Sequence, residues 1–427
     1  MLNRPGAKKL FAALGPGLLM AGAAIGVSHL VQATRAGAEY GLSLLGLVIL
    51  ACVLKYPFIE FGPRYAAATG ESLIRGYQRL GDWALGLFAL ITLATMFIIQ
   101  ASVTLVTAGL AGLVFGIDAT LTQLSFGVLM ACIAVLAVGR FAALDGLMKI
   151  IIAALAISTT AAVVLAFGSP AENANLNPFT GFDQVWTAAG VAFVLALLGW
   201  MPIPLDVAAW HSLWTLERAR QTGIHPSVGH ALLDCRFGYL GATVTAAIFL
   251  LLGALVMHGS GESFPPQAVA FAGRLVDLYT ASLGEWSRPV IEIAALTAMF
   301  STTLAVTDAY PRVIRAMIEV SGAAREDRSG RQLDLHRGRY VTALLFVTIG
   351  ALIIILYFGQ RFTLLIDFAT TVSFLAAPAL AWLNIRVITA DFMPEQHRPG
   401  VGMMRLAWTG FAFLLIFCLI WLGWRIF

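Results

Sequence analysis

Charge is what this sequence has least of. Only 12% of its 427 residues are Asp, Glu, Lys or Arg, about half the share of a soluble globular chain. That excludes an ordinary water-soluble domain, and the 59% hydrophobic content excludes disorder. Cysteine is scarce too. Cys52, Cys132, Cys235 and Cys418 contain no C-x-x-C pair, so no redox motif or disulfide framework is expected. There is no phosphate-binding glycine loop, catalytic triad or zinc-ligand spacing, so neither an enzyme nor a resident cofactor is expected. The net charge is only +4, and its placement matters more than its size. No nucleic-acid partner is implied.

What the chain has in abundance is long apolar runs, and its mean hydropathy is +0.85. A helix needs about 20 apolar residues to cross the hydrocarbon core. The runs predict an all-α polytopic membrane protein whose partner is the lipid bilayer. Eleven spans are expected, near 14–36, 42–62, 83–113, 120–139, 146–167, 185–214, 231–257, 289–318, 339–358, 362–388 and 405–426. The basic, apolar N-terminus has the pattern of a signal peptide, but with ten further runs behind it a retained first span is expected. With the N-terminus placed in the cytoplasm, most of the 27 Lys and Arg residues fall on the cytoplasmic side. Only Arg35, Arg274, Arg288, Arg361 and Arg425 fall outside, and Lys55 lies within a span. The positive-inside rule therefore predicts a cytoplasmic N-terminus in a cell (inner) membrane. The outer segment 258–288 contains QAVAFAGRLVDLYTASLG, spaced as an amphipathic helix lying on the outer surface. The charged segment 319–338 is expected to be a solvated connector.

Two spans carry interruptions. The first contains LLMAGAAIGVSHL, with Gly22 and Gly26 about its middle and Ser28 and His29 just after. The sixth contains LLGWMPIPLDVAAWHSL, where Pro202 and Pro204 each remove a backbone donor and clash with the preceding turn. The prolines should open the sixth span; the glycines make the first easier to unwind without compelling it. Glycines also serve close helix packing. Interrupted spans in matching positions of two halves point to a transporter binding site.

The same stretches resemble the Nramp (natural resistance-associated macrophage protein) metal transporters. GPGLLMAGAAIGVSHLVQATRAGAEYG looks like their first span, and RYAAATG (64–70) like the R-L-G-x-x-T-G loop after their second. MPIPLDVAAWHS (201–212) is similar to their sixth-span M-P-H-N-L-Y-L-H-S. PPQAVAFAGRLVDLYTASLG and AALTAMFSTTLAVTDAY resemble their outer helix and eighth span. The resemblance covers most of the chain. It implies a LeuT-type fold in one transporter domain (1–427): inverted five-helix repeats at about 14–167 and 185–388, and an extra span at about 405–426. The departures bear on function. Where the family carries D-P-G-N, this chain has Gly26, Val27, Ser28 and His29, so the metal-binding Asp is absent. The sixth-span methionine position falls at Met201 or Ile203. The third span lacks the family's proton-coupling carboxylates and offers only Gln100.

Asp206 is the leading candidate for holding a cation, since an ionised carboxylate at mid-depth needs an interior partner. The alternative is that it bonds the free N–H groups of the break. His29 could ligate a transition metal or carry a proton, or donate one hydrogen bond. With Gly26, Met201 and Ile203 these form the expected metal site. Ser28, Trp200, Ser301, Thr302, Thr303, Thr370 and His211 are candidates for substrate or coupling ion. Span-8 hydroxyls with span-1 carbonyls form a sodium site in many LeuT-type symporters; alternatively, such hydroxyls bond back to the preceding turn. Lys55 is expected to pair with Glu60 or another interior carboxylate, or to belong to a pathway. Asp145–Lys149 and Asp308–Arg312 read as i,i+4 pairs. Two functions fit. One is an Nramp-like secondary transporter of a divalent cation (Mn²⁺/Mg²⁺-type). The other is a Na⁺- or H⁺-coupled symporter of a small organic solute.

Overall fold

Lipid offers no partner to a backbone N–H or C=O, so each apolar run must satisfy its own as a helix. The computed structural model describes residues 15–138, 141–168, 177, 182–321, 332–359 and 361–426, and among them there are helices and no strands. Among the described residues eight helices are long and apolar enough to cross a membrane, and three shorter apolar helices, Leu121–Ala137, Leu155–Gly168 and Ala188–Trp200, lie between them in the chain. Together they occupy the eleven expected positions.

The unbroken spans run over Leu45–Thr69, Asp82–Phe115, Leu121–Val138, Phe141–Gly168, Val228–Val256, Arg288–Val320, Gln332–Phe358, Phe362–Thr389 and Val401–Ile426. The second outlasts its apolar run, so RYAAAT continues the helix as far as Thr69 and is not the expected loop. Glu60, five residues beyond Lys55, pairs with Arg64 and with Arg236 (3.6 Å) rather than with Lys55. The Asp308–Arg312 pair forms at 2.6 Å. The side chains of Asp145 and Lys149, and residues 322–331 of the charged segment, lie outside the described residues.

The first span is the most buried of the eight long ones and the last is the least. The first sits in the core and presses on the seventh span, Val228–Val256. A Cβ on Gly17 would collide with the Asp234 backbone, and one on Gly238 with the Gly17 backbone. On the far side of the break, a Cβ on Gly37 would meet the Leu250 carbonyl and one on Gly253 the Thr34 carbonyl. Small residues let the two backbones touch, which gives dispersion contact where lipid offers no hydrophobic gain. The amphipathic segment is a helix, Ala268–Leu283, but its apolar face does not lie on lipid. Phe271, Leu275, Val276 and Tyr279 are buried against the third and fifth spans, and the Tyr279 hydroxyl lies 2.9 Å from that of Thr159.

Candidate functional site

The first span opens at mid-length. Pro16 stands in the first turn, where a missing N–H costs nothing. The Asp234 carboxylate of the seventh span takes the free N–H groups of Gly15 (3.2 Å) and Gly17 (2.6 Å). The helix ends at Ala24, Ile25 and Gly26 leave helical geometry, and a π-helical turn over Val27–Ala33 leads into Thr34–Tyr40. Thr302 of the eighth span braces the break, its hydroxyl donating to the Gly22 carbonyl at 2.9 Å. A Cβ on Gly26 would collide with that Thr302 side chain. Gly26 therefore has no room for a side chain beside Thr302, whose hydroxyl and methyl fill the space.

The sixth span stops at Trp200 and resumes at Val207. Pro202 and Pro204 cannot donate N–H groups to the ladder, so the last carbonyls of the first half are left free. The Lys55 ammonium, from the second span, takes three of them. It donates to Leu198 O at 3.1 Å, Gly199 O at 3.1 Å and Met201 O at 2.8 Å. Asp206 stands before the second half and makes no capping bond to it. Its Oδ2 accepts from the Tyr310 hydroxyl at 3.2 Å, while its Oδ1 is buried without a hydrogen-bond partner among the described residues.

A cavity of about 30 Å³ lies between the breaks, room for about one or two waters. Ser28 and Val27 line it from the first span, Trp200, Ile203 and Pro204 from the sixth, Ile99 from the third and Thr302 from the eighth. Its walls are mostly apolar. The Ser28 hydroxyl donates to Ala24 O at 2.6 Å and lies 2.8 Å from His29 Nδ1. His29 turns away toward the seventh span, where its Nε2 donates to Ala242 O at 2.8 Å. Among the described residues no three His, Cys, Asp or Glu side chains group so as to hold a metal ion.

The structure thus brings Ser28, Trp200, Ile203 and Thr302 together around one space, with Gly26 at its edge. Met201 is buried and contributes its carbonyl to Lys55. The Trp200 indole is held by Ser373 at 2.8 Å. Ser301 is buried on the same helix as Thr302. Thr303 faces the third span instead, bonding Thr107 Oγ1 at 2.7 Å and Val103 O at 3.1 Å. Thr370 belongs to a separate network on the far side of the first-span break. There Gln32 donates to Asp367 (3.0 Å) and Thr370 (3.3 Å), Arg35 pairs with Asp367 at 2.8 Å, and its guanidinium lies over Phe193. His211 is buried deeper in the sixth span, neither ring nitrogen having a partner among the described residues. Sequence reasoning missed Asp234, Tyr310, the carbonyls around Lys55, and Trp210, which also lines the cavity and packs edge-on against Tyr310. A lone mid-span lysine was the available signal.

The family described as natural resistance-associated macrophage protein-like matches residues 17–423. An uncharacterized protein of Pasteurella multocida (strain Pm70) is 33% identical over 420 residues, spanning 97% of this chain and 92% of that one. Crystal structures of the Eremococcus coleocola manganese transporter superpose with a TM-score of 0.74 at 16% identity, over 98% of this chain and 88% of that one. MhsT in complex with L-phenylalanine gives a TM-score of 0.66 at 14% identity, over 96% and 98%. A nucleobase-cation-symport-1 family transporter gives 0.55 at 15%, over 92% and 81%. At these identities the solved structures establish the fold, which is the LeuT type: two inverted five-helix repeats and an eleventh span. With a whole-chain family match and a carrier fold opened at the first and sixth spans, the protein belongs to the Nramp-like family of membrane transporters.

Proposed function

We propose that this chain is a secondary transporter that moves a divalent cation of the Mn²⁺ or Mg²⁺ type by alternating access. The observation that carries the reading is the pair of open spans with Asp206 at the sixth-span break, a buried carboxylate with one oxygen unengaged among the described residues. A buried anion of this kind needs a cation or a proton. The oxygen donors at the two breaks are the Asp206 carboxylate and the Ser28 and Thr302 hydroxyls. Such donors suit hard cations better than soft ones. The family supports cation transport, and the Eremococcus coleocola relative by fold is a manganese transporter. His29 and His211 then act by hydrogen bonding or packing rather than as ligands. The repeats take the boundaries given above. The N-terminus lies in the cytoplasm of a cell inner membrane, the arginine bias supporting that orientation. In that orientation Asp234 closes the inner end of the first span, and Arg35 with Asp367 closes the outer end.

The apolar cavity wall favours a second reading, a symporter of a small organic solute seated against Trp200 and Ile99. Flux into proteoliposomes separates the two. Mn²⁺ or Mg²⁺ uptake that falls at least tenfold in Asp206→Asn, with the variant still folded, supports cation transport. Equal uptake by the variant removes Asp206 from the site. Solute uptake driven by a Na⁺ or H⁺ gradient, with no metal flux, selects the symporter.

A further inference from the structure

The opened sixth span leaves a cluster of carbonyl oxygens at the C-terminal end of a half-helix. That end carries the negative pole of the helix dipole, and such carbonyls are hard ligands for a small cation. In this protein the cluster is already filled. The Lys55 ammonium carries three N–H donors, and each reaches a different carbonyl, those of Leu198, Gly199 and Met201, at 2.8–3.1 Å. Lys55 is 1% exposed, and no carboxylate forms a salt bridge with it among the described residues. Asp206 of the same break acts on it through space without forming an ion pair, and an ammonium held without a direct ion pair is costly at this depth unless dipoles replace its hydration. Three converging carbonyls supply that replacement. The lysine comes from a different helix, and its stem bridges the second span to the break.

We propose that Lys55 is a built-in cation for the opened sixth span, its ammonium occupying a carbonyl cage that would otherwise take a free monovalent metal ion. The tether makes the occupant permanent and independent of the ions in solution. It follows that the wild-type protein does not draw on Na⁺ or K⁺ at this cage, and that removing the charge uncovers a site for one. The inference stands on the sixth-span break alone and does not depend on which cargo is carried.

The test is the thermal midpoint of the full-length protein in detergent, measured in NaCl, KCl and choline chloride at one ionic strength. Wild type is expected to show the same midpoint in all three. Lys55→Met keeps the stem and removes the charge. It should melt several degrees lower in choline chloride and recover several degrees as Na⁺ or K⁺ is added, in a saturating manner. Lys55→Gln retains N–H donors without the charge and serves equally if the Met variant does not fold; it too should respond to Na⁺ or K⁺. A Gln variant as stable as wild type and indifferent to salt would make Lys55 only a hydrogen-bonding cap and overturn the proposal. So would a destabilised Met variant that neither ion rescues, or one that gains no more from Na⁺ or K⁺ than wild type does. Loss of metal flux in the transport assay would refute the cargo reading and leave these melting results untouched.

Discussion

The contact between Gly26 and Thr302 can be tested by a double-mutant cycle. Gly26→Ala places a methyl against Thr302, whose Cγ2 and Cβ lie 2.7 and 2.9 Å from the methyl position, with the hydroxyl closer still. Overpacking of this kind costs about 1–3 kcal/mol. Thr302→Ala loses the hydrogen bond to the Gly22 carbonyl, worth about 1 kcal/mol. It also loses a buried methyl, worth about another 1 kcal/mol. In the double variant two of the three crowding atoms are gone, and the remaining Cβ requires only a small shift. The double variant should therefore be more stable than the summed single costs predict, by about 1 kcal/mol or more. Equilibrium unfolding of the four forms in mixed micelles measures this. Costs that add within about 0.5 kcal/mol would refute the claim that Thr302 fills the space of a first-span side chain. The same crowding explains why a carboxylate is not accommodated at Gly26 beside an intact Thr302.

Two further outcomes follow from the ends of the first span. Asp234→Ala strips two N–H groups of their carboxylate and should cost about 2–3 kcal/mol, with faster amide exchange over residues 15–24. Unchanged exchange there would mean that Asp234 does not anchor this half. Arg35→Gln and Asp367→Asn, taken through a cycle, should show a coupling of about 1 kcal/mol that shrinks in high salt. A coupling of zero would remove the pair from the closure of that end.

The helices and their two interruptions were legible because both follow from local chemistry. Apolar length sets a span, and Pro202 with Pro204 stop one wherever the chain then goes. The first-span break was less so. Glycines permit a break without requiring one, and what holds it open is Thr302, about 280 residues away in sequence. Lys55 shows the limit most clearly. Glu60 was a reasonable partner from spacing, but residues five apart on a helix diverge in direction, and Glu60 is engaged by Arg64 and Arg236. The lysine instead meets carbonyls some 145 residues on, which only the packed bundle brings near. His29 was legible as polar and interior. Its direction, toward Ala242 and out of the cavity, is set by the π-helical turn, which changes the rotation of every side chain that follows.

The bare backbone contacts between the first and seventh spans have a mechanical consequence. At Gly17–Gly238, at Gly37 against Leu250 and at Gly253 against Thr34 there is no glycine side chain to compress, so force passes from one rod to the other without slack. A tilt of either half of the first span must drag the seventh along or shear past it on a track of carbonyls. In the alternating access proposed above, the moving piece is a coupled pair on each side of the break, and substituents even as small as a methyl at these four glycines would jam it.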